Sequence, residues 1–343
     1  MRAFFAIISG NDVNLAKAEV DSLIGLTGAD ARVSWFGQLA QIESTHDVAH
    51  FLLERAAMTK EAGSIIGHGP ISDTSMEWLS DDVLMTCVKP TDTFSVRTKS
   101  LTAERHVEQR ERLSALLGAR IKNLTNARVS LDEPDVKVLA IIIPDRILVC
   151  ISKESRLRLE LRLREPGRKP FFHPSMMNSQ LARVMCNLAG VKPKAVVLDP
   201  FCGGGGILGE AASIGARVVG LELDWRLIIG ALKNLAGSLE RETSLVQADS
   251  RLLPLQIGRF DCIATDPPYG RASSTRGAKA KRLVLTLLEN APEIVRDGGR
   301  LCICGSHDMG IRGMIQDLGF IIKYHIPVPV HSGLTREITV VEF

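Results

Sequence analysis

The sequence predicts an α/β protein: a doubly wound domain in the C-terminal half, preceded by one or two smaller α+β modules. Three observations predict it. After residue 195, apolar and β-branched runs alternate with segments of helical period, the rhythm of βαβ units around a parallel sheet. A glycine-rich stretch, FCGGGG, follows the first of those runs. Before residue 155, strand-like and helix-like segments are short and carry no such loop.

In chain order, RAFFAII (2–8) reads as a strand, 14–25 as an amphipathic helix, VSWFGQLAQIE (33–43) as strand and 46–61 as a second helix. LMTCVKP (84–90), TFSVRT (93–98), VSL (129–131) and VKVLAIIIPDRILVCIS (136–152) read as strands, with a helix near 104–118. RLRLELRLR (156–164) alternates strictly between charged residues and leucine, the period of an extended strand, until Pro166, Gly167 and Pro170 break it. A linker is therefore expected at 156–175. Beyond it AVVLDP (195–200), ARVVGLEL (216–223), SLVQAD (244–249), FDCIATD (260–266) and LCICGS (301–306) are strands, and IIKYHIPVPV with EITVVEF form an antiparallel pair at the sheet edge.

Composition excludes several classes. With 343 residues, 45% of them apolar, the chain suits two or three globular domains. No apolar run approaches the ~18 residues of a membrane span, and MRAFFAIISGND lacks the features of a secretory signal, so a cytoplasmic protein is expected. The seven cysteines lie mostly in apolar runs and read as reduced core residues; none stands at zinc-ligand spacing, and no metal is expected. Net charge is only +3, but it is unevenly spread. From Arg97 to Arg128 eight Arg/Lys face three Glu, from Arg156 to Lys169 six face two, and from Arg271 to Arg282 five face none. Such blocks together suit a polyanionic partner, although any one alone is more often just a solvated face.

VVLDPFCGGGGILGEAA runs strand, glycine-rich turn, helix. Gly204, Gly206 and Gly209 formally fit G-x-G-x-x-G with an acid further on in GLELDW, so a dinucleotide reading has to be weighed. Asp199 argues against it, because a carboxylate ending the strand before the loop repels a pyrophosphate but suits the ammonium of an amino-acid-bearing cofactor. S-adenosylmethionine has such an end. Its ribose hydroxyls need an acid at the tip of the second strand and its adenine amine a polar side chain after the third; Glu222 and Asp249 stand there. Asp224 or Asp249 alone is equally a helix N-cap. The ordered series Asp199, glycines, Glu222, Asp249, Asp266 at successive strand ends favours a methyltransferase.

TDPPYG follows the fourth of these strands. Two prolines fix two φ angles and leave rigid carbonyls as acceptors. Asp266 and the Pro267 carbonyl can each accept an N–H of a planar amine, and Tyr269 offers a ring on which an extruded base stacks. The corner alone does not say whether that amine belongs to guanine, adenine, cytosine or a glutamine amide.

DPFCGGGG, GLELD and TDPPYG resemble the Rossmann-like amino-methyltransferases, and almost the whole chain is similar to the archaeal THUMP-domain tRNA guanosine-10 N2-methyltransferase family. FSVRTKSLTAERHVEQRERLSALLGARI and VSLDEPDVKVLAIII match its THUMP domain, and REPGRKPFFHPSMMNSQLARVMCNLAGVKP its linker and the following helix. The resemblance implies a ferredoxin-like module at 1–60, a THUMP RNA-binding domain at 61–155, the linker at 156–175 and a seven-stranded Rossmann-like methyltransferase domain at 176–343. It implies S-adenosyl-L-methionine as cofactor, held by Asp199, Cys202, Gly203, Gly205, Glu222, Leu223, Asp249, Ser250 and Asp266, with Ser175 and Asn178 from the segment that closes over its methionine end. It implies tRNA as partner, gripped by Arg97, Lys99, Arg105, Arg168, Lys169 and Arg271. Gly204 departs from the family, which has Thr or Ser there. A DNA or rRNA amino-methyltransferase, and a non-catalytic RNA-binding protein with a vestigial pocket, remain alternatives; a small activator protein partner is left open. Everything needed for cofactor binding lies after about Lys169, so that half is expected to fold alone.

Overall fold

The structure, a computed structural model, describes residues 1–73, 75–101, 107–238, 242–250, 258–268, 275–331 and 334–343. Contacts divide it into two compact units: Met1–Val13, Thr27–Glu54 and Thr59–Arg156 in one, and Asn14–Leu26, Arg55–Met58 and Leu157–Phe343 in the other.

The chain begins with β1 (Arg2–Ile8), α1 (Val13–Leu26), β2 (Ala31–Phe36), β3 (Leu39–Ser44) and α2 (Val48–Arg55). It continues through β4 (Thr59–Pro70), α3 (Asp81–Cys87), β5 (Thr93–Ser100), α4 (Val107–Thr125), β6 (Arg128–Val129), β7 (Val136–Ile142) and β8 (Arg146–Glu154). All eight strands of the first unit share one sheet, in the order β2-β3-β1-β4-β8-β7-β5-β6. β4 sits in its middle, with Phe4 of β1 opposite Ser64 on one side and Glu154 of β8 opposite Glu61 on the other. The expected boundary at 60/61 therefore falls within a strand that both halves share.

Three local expectations are corrected here. The 84–90 segment is not a strand but lies largely in α3, whose first turn carries Asp81 and Asp82, acids that favour a helix N-terminus, and which buries Leu84. The helix expected over 46–61 stops at Arg55, and the chain enters β4 at Thr59. The alternating stretch after 156 is a helix, α5 (Leu157–Leu163). Alternation at every second residue also contains the i, i+4 pair Leu157 and Leu161, both buried, and Leu, Arg and Glu are all good helix formers.

The second unit continues with α6 (Ser179–Leu188), β9 (Val196–Asp199), α7 (Gly206–Ile214), β10 (Arg217–Glu222), α8 (Trp225–Leu235) and β11 (Thr243–Gln247). Then come β12 (Phe260–Thr265), α9 (Thr275–Ile294), β13 (Val295–Ser306), α10 (Ile311–Asp317), β14 (Ile322–His331) and β15 (Leu334–Glu342). The sheet order is β11-β10-β9-β12-β13-β15-β14, with β9 to β13 parallel and the last two strands antiparallel, as expected. The carboxyl ends of five strands thus share one edge, and β15 begins at that edge, with Arg336 opposite Ser306. Leu198, Phe260, Ile263, Val284, Leu288 and Ile303 form the core between sheet and helices.

Two early segments complete this unit. Glu19 of α1 is fully buried, and its carboxyl group accepts from the Ala57 and Met58 N–H groups at 2.8 and 2.9 Å and from Asn187 Nδ2 at 2.8 Å. Arg55 donates to Asn187 Oδ1 at 3.1 Å and to the Val191 carbonyl at 2.9 Å. The expectation that the half after Lys169 folds alone is revised: that fragment would strip a buried amide of its partners. Among the described residues no helix is long and apolar enough to cross a membrane.

Candidate active site

Along the carboxyl edge of the second sheet lies a cavity of about 420 Å³. β9 places Asp199 at its floor, 2% exposed, where Oδ1 accepts from the Thr265 hydroxyl at 2.6 Å and the Phe201 N–H at 3.1 Å. Burial pushes this carboxyl up to about 7; the two hydrogen bonds work against that, and the charges of Asp266 and Glu222 add to it.

After Asp199 the chain turns through Gly203 and Gly205 at φ of 50° and 76°, a left-handed backbone that suits glycine, and Gly205 then caps α7. Cys202, Gly203, Gly204 and Gly206 line the cavity, and Gly205 lies behind them. A Cβ on Gly204 would come within 2.8 Å of Met176 Sδ, so in this chain a methionine from a neighbouring segment fills the space a larger loop residue would need.

Among the described residues Glu222, ending β10, is held by backbone N–H groups. Oε2 accepts from the Gly203 N–H at 3.1 Å, and Oε1 from the Leu223 and Asp224 N–H groups at 2.7 and 3.0 Å. A carboxylate has about four lone-pair positions, so one outward acceptor position is left for a ligand. Asp224 instead caps α8, accepting from the Arg226 N–H at 2.9 Å. Leu223, Asp249 and Ser250 complete this wall.

Asp266, Pro267 and Pro268 follow β12 and line the opposite wall. Burial raises Asp266 to about 7, while the charge of Arg336 and a hydrogen bond from the Cys304 thiol pull it down. Among the described lining residues Arg336 is the one cation. Sequence reasoning missed it, and the signal was strand alternation. In β15, Glu337 meets His307 at 2.6 Å, so its neighbour Arg336 faces the other side of the sheet, toward the cavity. Phe201, Met176 and Leu227 were also missed as lining residues.

Ser175 lines the cavity, whereas Asn178 does not: its Oδ1 caps α6, accepting from the Leu181 N–H at 2.7 Å. Tyr269, Arg271 and Arg105 lie outside the described residues. Of the remaining basic candidates, Arg97 is exposed on β5 and lines a separate cleft of about 640 Å³ beside α4. Lys99, in the same cleft, is paired with buried Glu61, whose other oxygen accepts from Ser152 at 2.5 Å. Arg168 is exposed, but Lys169 is half-buried with its ammonium close to Gly209, and burial lowers its pKa.

The family model described as RMKL-like, methyltransferase domain matches residues 166–337, which contain every element of this cavity. The tRNA (guanine(10)-N2)-dimethyltransferase of Methanothermobacter thermautotrophicus is 33% identical, covering 98% of both chains. The protein of the same name from Pyrococcus abyssi is 26% identical over 99% of both. Among solved structures, TrmN from Thermus thermophilus superposes with a TM-score of 0.56 at 19% identity, covering 99% of each chain, a likeness of fold. By its near full-length identity and its matching domain, the chain belongs to the family of archaeal tRNA (guanine(10)-N2)-dimethyltransferases.

Proposed function

We propose that the protein transfers methyl groups from S-adenosyl-L-methionine to the exocyclic N2 amine of guanosine in tRNA, at position 10. One observation carries this reading: Asp199, Glu222, Asp249 and Asp266, each from a different strand end, line a single cavity with the glycine loop and Pro267. The cofactor supplies a methyl already activated on a sulfonium. Asp199 faces its ammonium, the remaining acceptor position of Glu222 takes a ribose hydroxyl, and Asp249 with Ser250 meets the adenine amine. On the far wall the Asp266 carboxylate and the Pro267 carbonyl accept the two N–H groups of the target amine, turn its lone pair toward the cavity, and leave Asp266 to receive the proton. Tyr269 is the stacking surface for the extruded base.

The relatives' names favour two successive transfers; after the first, one N–H remains for one acceptor. In this reading the first unit holds a THUMP module, continuous with the strands before it through β4, that grips the tRNA backbone, with Arg97 exposed for a phosphate and Lys99 already paired. The work is cytoplasmic. The test is methylation of unmodified tRNA, with nucleosides identified by mass spectrometry. N2-methyl- and N2,N2-dimethylguanosine at position 10 are expected; methylation of duplex DNA or rRNA in preference to tRNA would overturn the reading.

A further inference from the structure

Asn234, in the last turn of α8, bonds to two segments far from it in sequence. Its Oδ1 accepts from the Phe171 N–H at 2.9 Å, and its Nδ2 donates to the Phe171 carbonyl at 3.0 Å and to the Gly204 carbonyl at 2.9 Å. An amide that engages both the N–H and the C=O of one residue imitates a strand partner and fixes the orientation of that backbone as well as its place. One turn earlier on the same helix, Gly230 makes room for the Phe171 ring, since a Cβ there would lie 2.2 Å from a ring carbon.

From Phe171 the chain runs directly to Ser175, Met176 and Met177, which line the cavity, and Asn178 ties the far end to α6. Residues 171–178 are therefore a strap with two anchors, and Met176 rests on Gly204 of the glycine loop. The same Gly204 gives its carbonyl to Asn234, so a single side chain touches both the strap and the loop on which it lies.

We propose that Asn234 is a positioning residue that holds the strap and the glycine loop in register, so that the cavity is already closed on its Ser175–Met176 side before a ligand arrives. This rests on the reading that the cavity takes S-adenosylmethionine. Without the amide, binding must itself order the strap, and that cost falls on cofactor affinity and not on the methyl-transfer step.

The test uses the full chain with Asn234→Ala and Gly230→Ala. The second leaves the amide intact and strengthens the helix itself, so it remains informative if the first folds poorly. Both should weaken S-adenosylmethionine in calorimetric titration by about tenfold or more, Asn234→Ala through the loss of one or two net hydrogen bonds and Gly230→Ala by pushing the Phe171 ring out of its place. Turnover at saturating cofactor should stay within about threefold, so the change appears in KM and not in kcat. Hydrogen exchange of the 171–177 amides should quicken in both variants before any cofactor is added, a readout independent of what the cavity binds. Unchanged affinity and unchanged exchange in both variants would overturn the proposal. A wild-type chain that binds no S-adenosylmethionine would overturn the cavity's assignment and the affinity claim with it, while quickened exchange in the variants would still establish the clasp.

Discussion

At the amino ends of the seven-stranded sheet exposed or half-buried acids sit in ion pairs with arginine and lysine, whereas at its carboxyl ends Asp199 is buried on the Thr265 hydroxyl and a backbone N–H, Glu222 is held by backbone N–H groups, and Asp266 is buried beside Arg336 and the Cys304 thiol. Asp261 accepts from Arg296 at 2.7 Å and from the Val196 N–H at 2.6 Å, Glu342 takes both Arg300 and Lys323, and Glu242 faces Arg217 at 3.0 Å. A cleft of about 530 Å³ opens at that end too, larger than the one at the carboxyl edge, yet two of its three acids, Asp261 and Glu342, are matched with arginine. At the other end Asp199 and Asp266 are both pushed up to about 7. A protein that wanted only stability would treat both ends alike. Cavity size therefore says less about function than the state of the charges that line it.

The strongest way to break this contrast is to remove Asp266. Asp266→Ala should cut methyl transfer by ~100- to 10,000-fold, the usual cost of losing a positioned acid or base, while calorimetry finds cofactor affinity nearly unchanged. Turnover close to wild type in a folded variant would reduce Asp266 to a strand-end turn residue. Next in size is Glu222→Ala, expected to weaken S-adenosylmethionine by ~10- to 100-fold through the loss of charged hydrogen bonds. Because Glu222 also anchors the Gly203 N–H, Glu222→Gln should recover part of the loss by keeping an acceptor there. Equal affinities for wild type, Ala and Gln variants would remove Glu222 from the site.

The raised carboxyls also predict a pH dependence. A cationic ligand favours ionised Asp199, so cofactor affinity should fall as pH drops through about 7, with proton release on binding near that pH. Stability of the free protein runs the other way. In the folded state these groups hold their protons to higher pH than when unfolded, so their contribution is full below the ordinary carboxylate range and is lost as pH rises toward about 7. Calorimetry in buffers of different ionisation enthalpy, at pH 6 and 8, checks the first; a flat affinity would show that Asp199 does not meet the cation. The smallest expected effect on activity comes from Asp261→Asn at the amino end. It should cost about 1–2 kcal/mol in denaturant unfolding and leave kcat/KM unchanged.

Much of this edge was legible because each acid directly follows an apolar run, and a strand that ends in a carboxylate at every successive crossover is hard to obtain from packing alone. Arg336 was not legible in the same way. It reaches the cavity only because β15 runs antiparallel beside β13, a pairing fixed by tertiary structure and not by its neighbours in sequence. Asn178 and Gly205, expected among the cofactor residues, do not line the cavity: both stand at helix starts, where capping and ligand binding ask for similar residue types. The Leu157–Leu163 helix was misread because charged and apolar residues at every second place satisfy both periods at once, and burial of one i, i+4 pair decides between them. Least legible was the part of the second unit supplied by α1 and residues 55–58, since nothing local in Glu19 announces Asn187 as its partner.

That partnership spans 168 residues of chain and gives the protein an order of assembly during synthesis. At ~5–20 residues per second, α1 leaves the ribosome roughly 8–34 s before Asn187 does. For that interval Glu19, fully buried in the finished molecule, lacks its Asn187 partner, while β1 to β8 can already pair with one another. A nascent chain that has released β8 but not α6 should thus hold a complete eight-stranded sheet and a Glu19 carboxyl still without its amide donor, so that the second unit closes only when α6 emerges.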